Sequence, residues 1–246
     1  MEDVALEAAE QWSLTLGDPY EQGVAGYTTR ASLADGSPVV LKLVYPHRES
    51  EHEADALRAW DGDGAVRILA QEGDALLLER CEPGTPLSAT GQEAALDVVI
   101  GLLPRLWQPA GEPFHTLADE AAWWFPKLPR TRLGDAAREA IRSLAGTQGE
   151  QVLLHQDLHG DNVLAAEREP WLVIDPKPLA GEREFAVAPI VRSWELGEAK
   201  RDVLYRFDRL TSELGLDRGR ARGWTIAQTV AWSCGAWHDQ VAEWLL

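Results

Sequence analysis

Asp157, Asn162 and Asp175 stand at intervals that suit phosphoryl transfer. The first two lie in His155-Gln156-Asp157-Leu158-His159-Gly160-Asp161-Asn162, the pattern His-x-Asp-x-x-x-x-Asn; the third follows the apolar run Trp171-Leu172-Val173-Ile174. This chemistry needs a carboxylate that orients the attacking hydroxyl and takes its proton, and hard oxygen ligands that hold Mg2+ against the phosphates. Asp157 suits the first task, and Asn162 and Asp175 suit the second. Turn formation would explain a single aspartate between two strands, but it does not explain three matching positions. His155 and His159 also stand four apart, as in a zinc-protease helix. Gln156 occupies the place of that motif's general base and Gly160 would break the helix, so His155 is read as a buried residue bracing the loop.

The apolar stretches on either side, Val152-Leu153-Leu154 and Trp171 to Ile174, read as short buried strands that hold this loop. Upstream, Glu2 to Trp12 reads as a helix ended by Gly17-Asp18-Pro19, and Tyr20 to Ala31 as a glycine-containing loop running into a strand. Small residues such as Gly23 and Gly26 let backbone N–H groups approach phosphates, although they also serve simply to shape a turn. Asp35-Gly36-Ser37 is a hairpin turn, and the strand Pro38 to Val44 carries Lys42 among apolar neighbours. A lysine there needs solvent or a partner. The next helix, Glu49 to Trp60, places Glu53, Leu57 and Trp60 on one face, so Glu53 is the acid expected to meet Lys42. The competing reading makes Glu51, Glu53 and Asp55 a solvated face. Strands are expected at Val66 to Ala70 and Ala75 to Arg80.

At 246 residues the chain can bury a sizeable core. A net charge of −17 and a pI near 4.7 argue against nucleic acid or an anionic membrane as partner, and they suit a cationic small molecule as well as plain solubility. Cys81 and Cys234 are the only cysteines and fit no metal spacing. With no basic, apolar leader at Met1-Glu2-Asp3-Val4, the expectation is a cytoplasmic location.

Cys81-Glu82-Pro83-Gly84-Thr85-Pro86 is the clearest break in composition, and it is read as a hinge between a strand-rich part, 1–80, and a helical part, 87–246. Thr90-Gly91-Gln92-Glu93 reads as a capping box opening a helix that Pro104 ends or kinks. Further helices are expected from Thr116 to Trp124, Asp135 to Ala145, Phe185 to Leu196, Glu198 to Leu214 and Arg218 to Leu246, with a loop from Pro178 to Glu184. Trp224, Trp232, Trp237 and Trp244 crowd the last helix. Aromatic faces stack on sugar rings and Glu184 or Asp239 attract amines, but tryptophans on such a helix mostly build core.

In this order, the glycine loop, strand lysine, helix glutamate, hinge, His-x-Asp-x-x-x-x-Asn and Ile174-Asp175 resemble the aminoglycoside phosphotransferase-like kinases. His52 to Leu57, Leu77 to Leu87 and Ile174-Asp175-Pro176-Lys177-Pro178 are similar to the streptomycin 6-phosphotransferase and hydroxyurea phosphotransferase group. The resemblance implies an α+β, two-lobed protein-kinase-like fold, with a small strand-rich N-lobe and a larger, mainly helical C-lobe. It implies ATP against the hinge near Glu79 and Cys81, its phosphates held by Lys42 paired with Glu53, and Mg2+ on Asn162 and Asp175. Asp157 would be the base toward a hydroxyl of an aminoglycoside, aminocyclitol or similar small molecule. Lys177, Glu184, Trp232 and Asp239 are the candidates for contacting the substrate. Two positions depart from the family pattern: Gln156 stands where Gly is common, and Ala186 where Asp is usual. Two alternatives follow, an amino sugar or metabolite kinase of the same fold and a nucleotide- or ligand-binding module with weak catalysis. Protein kinase activity is disfavoured because no Ala-Pro-Glu element follows Asp175.

Overall fold

The computed structural model describes residues 2–20 and 26–246. They fall into two compact units, one of 1–85 with 164–176 and the other of 86–163 with 177–246.

In the first unit, helix α1 (Glu2–Gln11) precedes a five-stranded antiparallel sheet of β1 (Thr15–Pro19), β2 (Gly26–Ser32), β3 (Pro38–Val44), β4 (Ile68–Glu72) and β5 (Ala75–Glu79). Its strand order is β1-β2-β3-β5-β4. The expected break at Gly17-Asp18-Pro19 is instead part of β1, an edge strand where a proline costs no ladder bond. Alternation along β3 sends Leu41 and Leu43 into a cluster with Ala5, Ala8 and Ala75, and so turns Lys42 to the opposite face. Helix α2 (Glu53–Trp60) begins later than expected, because the Ser50 hydroxyl bonds the carbonyls of Tyr45 and His47 and holds the chain in a turn. Glu53, Leu57 and Trp60 are all buried, so this stripe, acid included, faces inward.

Residues 164–176 join this unit through backbone pairing and one arginine. Strands β7 (Val163–Ala165) and β8 (Trp171–Val173) pair with each other. The Val66 N–H donates to the Val173 carbonyl and the Val173 N–H to the Gly64 carbonyl, while the Ala165 N–H donates to the Thr85 carbonyl and its own carbonyl accepts from the Gly84 N–H. Arg168 forks onto Glu79 at 2.8 and 3.0 Å and donates to the carbonyls of Gly62 and Ala65.

In the second unit, Thr90 does not cap a helix. Its hydroxyl donates to the Leu87 carbonyl within a short 3-10 turn, and Gly91, at φ +85°, starts α3 (Gln92–Leu106), which continues through Pro104. Helix α4 (Leu117–Trp124) opens as expected on Thr116, which accepts from the Asp119 N–H. Helix α5 (Arg132–Leu144) starts three residues before Asp135, because Thr131 is its cap. Pro178 opens a strand rather than a loop: β9 (Pro178–Gly181) pairs antiparallel with β6 (Val152–His155) and supplies the ladder partner that the buried β6 backbone requires. Phe185 to Leu196 is broken into a 3-10 turn, the short α6 (Ala188–Val191) and a second turn. Arg206 of α7 (Lys200–Glu213) ties that segment down by donating to the carbonyls of Val191, Leu196 and Gly197.

The expected single helix from Arg218 to Leu246 divides into α8 (Arg218–Ala231) and α9 (Ala236–Leu245), with Gly235 at φ +155° between them. Helix α8 is buried on almost every side, Gln228 and Thr229 included, which marks it as the interior helix of this unit. Trp224, fully buried, donates to Glu182 and meets Phe185 edge to face, a core role. Among the described residues no helix is long and apolar enough to cross a membrane.

Candidate functional site

In the sheet-bearing unit, Lys42 Nζ lies 2.6 Å from Glu53 Oε1, 2.7 Å from Glu53 Oε2 and 2.5 Å from Asp175 Oδ1. β3 presents the lysine, α2 the glutamate, and the turn after β8 the aspartate. Burial works against the Lys42 charge, but the two carboxylates outweigh it and raise its pKa, so the ammonium is kept. Asp175 sits at φ +51°, a left-handed conformation that a non-glycine residue adopts only when its surroundings require it.

In the helical unit, β6 delivers the loop that carries Asp157. His155 is buried and its Nδ1 accepts from the Asp157 N–H at 3.2 Å, the bracing role expected for it. Asn162 Nδ2 donates to the Asp157 carbonyl at 2.8 Å. With its nitrogen committed, the amide oxygen is what Asn162 can offer a hard cation, and Asp175 likewise offers carboxylate oxygen, so both donor sets fit Mg2+. The Gly160 N–H donates to Glu195 at 3.0 Å, and His159 pairs with the same oxygen at 3.2 Å. Desolvation lowers the His159 pKa less than Glu195 and Asp157 raise it, and the net shift is upward.

Asp157 has a cationic neighbour that the sequence did not single out. Arg192, just after α6, brings Nη2 to 3.7 Å from Asp157 Oδ1 and donates from Nη1 to Gln228 Oε1 at 2.5 Å. Gln228 Nε2 in turn donates to the Gln156 carbonyl at 2.6 Å. No local signal marks these residues, because 36 positions separate Arg192 from Gln228 and 72 separate Gln228 from Gln156. The nearest thing to a signal was chemical: an arginine inside an apolar segment needs a partner.

The other expected site residues are dispersed. Gly23 lies outside the described residues. Gly26 opens β2 opposite Val44, and a Cβ there would come within 2.3 Å of the Leu43 carbonyl oxygen, so the sheet itself requires glycine. The Glu79 side chain is occupied by Arg168 and the Arg67 N–H. Cys81 is buried, with its thiol pushed up to about 12 by desolvation and by Glu79, hence unreactive. Lys177 is buried, and its carbonyl accepts from the Gln156 N–H at 3.1 Å. Trp232 lies under the Arg192 guanidinium, 5.2 Å from ring centre to Cζ, and the exposed Asp239 accepts from Ser233 in the α8–α9 connection. Glu184 accepts from the Asp217 N–H at the opposite end of α8, about 20 Å along the helix from Trp232. Glu184 therefore does not share a neighbourhood with Trp232 and Asp239.

A five-stranded sheet with a buried lysine–glutamate pair, then a helical unit whose aspartate-bearing loop carries an asparagine five residues on, are the parts of the protein-kinase-like fold. The choline kinase LicA from Streptococcus pneumoniae shares it, with a TM-score of 0.69 at 13% identity over 100% of this chain and 97% of that one. The chain belongs to the aminoglycoside/hydroxyurea antibiotic resistance kinase family, whose sequence profile matches residues 16–242. It is 43% identical to hydroxyurea phosphotransferase of Kitasatospora aureofaciens, over 91% of this chain and 69% of that protein. It is 40% identical to streptomycin 6-kinase of Streptomyces glaucescens, over 92% and 80% respectively.

Proposed function

We propose that this chain transfers the γ-phosphoryl group of Mg·ATP to a hydroxyl of an aminoglycoside, aminocyclitol or similar small molecule. The observation that carries this reading is the Lys42–Glu53–Asp175 cluster. A buried ammonium held between two carboxylates is costly as mere packing but apt for gripping phosphate oxygens. Lys42 takes the α- and β-phosphates, and Glu53 fixes its direction. Asp157 accepts the proton of the acceptor hydroxyl as that oxygen attacks phosphorus and ADP departs. Asp175 and Asn162 each offer an oxygen suited to Mg2+, which would supply charge neutralisation at the phosphates. The names of the relatives put streptomycin and hydroxyurea first among acceptors to try. The net charge of −17 and the exposed Asp239 beside Trp232 suit a cationic acceptor.

Calorimetry of ATP binding with and without Mg2+, repeated on Asp175→Ala, tests the nucleotide half. Metal-dependent binding that the variant loses supports the reading, and absence of binding in the parent chain leaves only a ligand-binding module. Turnover of streptomycin, hydroxyurea and glucosamine then separates the acceptor classes. A preference for glucosamine would point to a metabolite kinase instead.

A further inference from the structure

Arg192 is only 8% exposed, and three contacts fix it. Gln228 holds one end of the guanidinium, the Trp232 ring lies against the cation, and Trp237 Nε1 donates to the Arg192 carbonyl at 2.7 Å. Gln228 is itself fully buried on α8 and uses both ends of its amide, one toward Arg192 and one toward the backbone of the Asp157 loop. An arginine taken out of water in this way is costly: desolvation brings its pKa down to about 10 although Asp157 acts to raise it. The guanidinium fork is rigid, so a guanidinium anchored at one end places its other end within a narrow range. That other end faces Asp157 Oδ1 at 3.7 Å, a charge contact rather than a full hydrogen bond.

Building on the phosphotransferase reading, we infer that Arg192 is a positioning residue for the reaction. Clamped by Gln228 and Trp232, it fixes the direction of the Asp157 carboxylate, while the same Gln228 amide ties the clamp to the loop at Gln156. The interior helix α8 thereby sets the geometry of a loop that lies 66 to 72 residues upstream of Gln228 along the chain, from Gln156 to Asn162. The use of a backbone carbonyl also explains how the position can carry glutamine, since the contact does not depend on the side chain of residue 156.

The test measures Mg·ATP turnover with streptomycin and hydroxyurea for Arg192→Met, Arg192→Lys and Gln228→Ala, together with amide hydrogen exchange. Arg192→Met and Gln228→Ala are expected to lower kcat about 100-fold with KM for ATP unchanged, the size of loss that misplacing a catalytic group brings. Arg192→Lys recovers part of the rate, because it keeps the charge but not the fork. In an Asp157→Asn background, Arg192→Met costs nothing further. The same loss in both backgrounds, or a raised KM with kcat retained, overturns the positioning role. A parent chain inactive on both acceptors counts against the phosphotransferase reading instead, and exchange then decides the clamp. Amides 156–159 exchanging about tenfold faster in Arg192→Met and Gln228→Ala, with strand 39–44 unchanged, support it; unchanged exchange overturns it.

Discussion

Lys42 and Glu53 meet at 2.6 Å with side chains 8% and 1% exposed, an ion pair that neither partner can leave for water. Removing the lysine deprives the buried Glu53 of this counter-charge, whereas removing the glutamate leaves Lys42 on Asp175. Lys42→Met is therefore expected to destabilise the chain by about 3 kcal/mol, whereas Lys42→Met combined with Glu53→Leu recovers most of that loss and remains unable to bind nucleotide. Urea denaturation beside ATP calorimetry measures both. A double variant no more stable than the single one would contradict the pairing argument.

Asp157 is expected to act on the acceptor and not on ATP. Asp157→Asn keeps the shape of the side chain and its backbone contacts to His155 and Asn162 but removes the base. The expected outcome is a fall in kcat of about a thousandfold at unchanged ATP affinity, read by steady-state assay and calorimetry. Retained turnover would assign proton acceptance elsewhere.

Glu79 and Arg168 give a pH dependence of stability. Burial pushes the Glu79 carboxyl up, but the Arg168 and Arg67 contacts outweigh it and leave the folded-state pKa below its usual value. A carboxyl shifted down in the folded state binds its proton more readily when unfolded. Its contribution is thus complete above about pH 4.3, and it is lost as pH falls through the lowered folded value. Arg168→Met should cost about 2 kcal/mol at pH 7 and progressively less in acid. Thermal melts of parent and variant from pH 7 to pH 3 follow the difference, and a constant gap would remove Glu79 from the account.

Gly26→Ala tests whether this glycine serves the sheet. Because the added methyl would press on the Leu43 carbonyl, the change is expected to destabilise the chain by about 1–3 kcal/mol in urea, with nucleotide bound or not. A variant of parental stability that binds ATP weakly would instead give Gly26 a direct role at the phosphates.

The Lys42–Glu53 pair is legible in the sequence because it rests on short-range periodicity: a lysine out of phase with apolar neighbours in a strand, and an acid in phase with Leu57 and Trp60 in a helix. Period 2 and period 3.6 are properties of the local backbone, so local sequence carries them. The breaks at Gly91, Pro178 and Gly235 are harder to see. A buried tetrapeptide such as Pro178 to Gly181 has too little length to show a period, and only its pairing with β6 makes it a strand. The expected capping box at Thr90 fails for a similar reason, since the hydroxyl finds the nearer Leu87 carbonyl.

The sequence by itself determined the chemistry on offer: which residues can hold charge, accept a proton or ligate a cation, and in what order they occur. Tertiary structure alone decided which distant groups hold them in place, as with Arg168 on Glu79, 89 residues away, and Gln228 on the loop at Gln156, 72 residues away. The reason is physical. A buried arginine or glutamine declares that it needs a partner, but the partner is chosen by how helices and strands pack once long loops have closed, and no spacing along the chain records that choice.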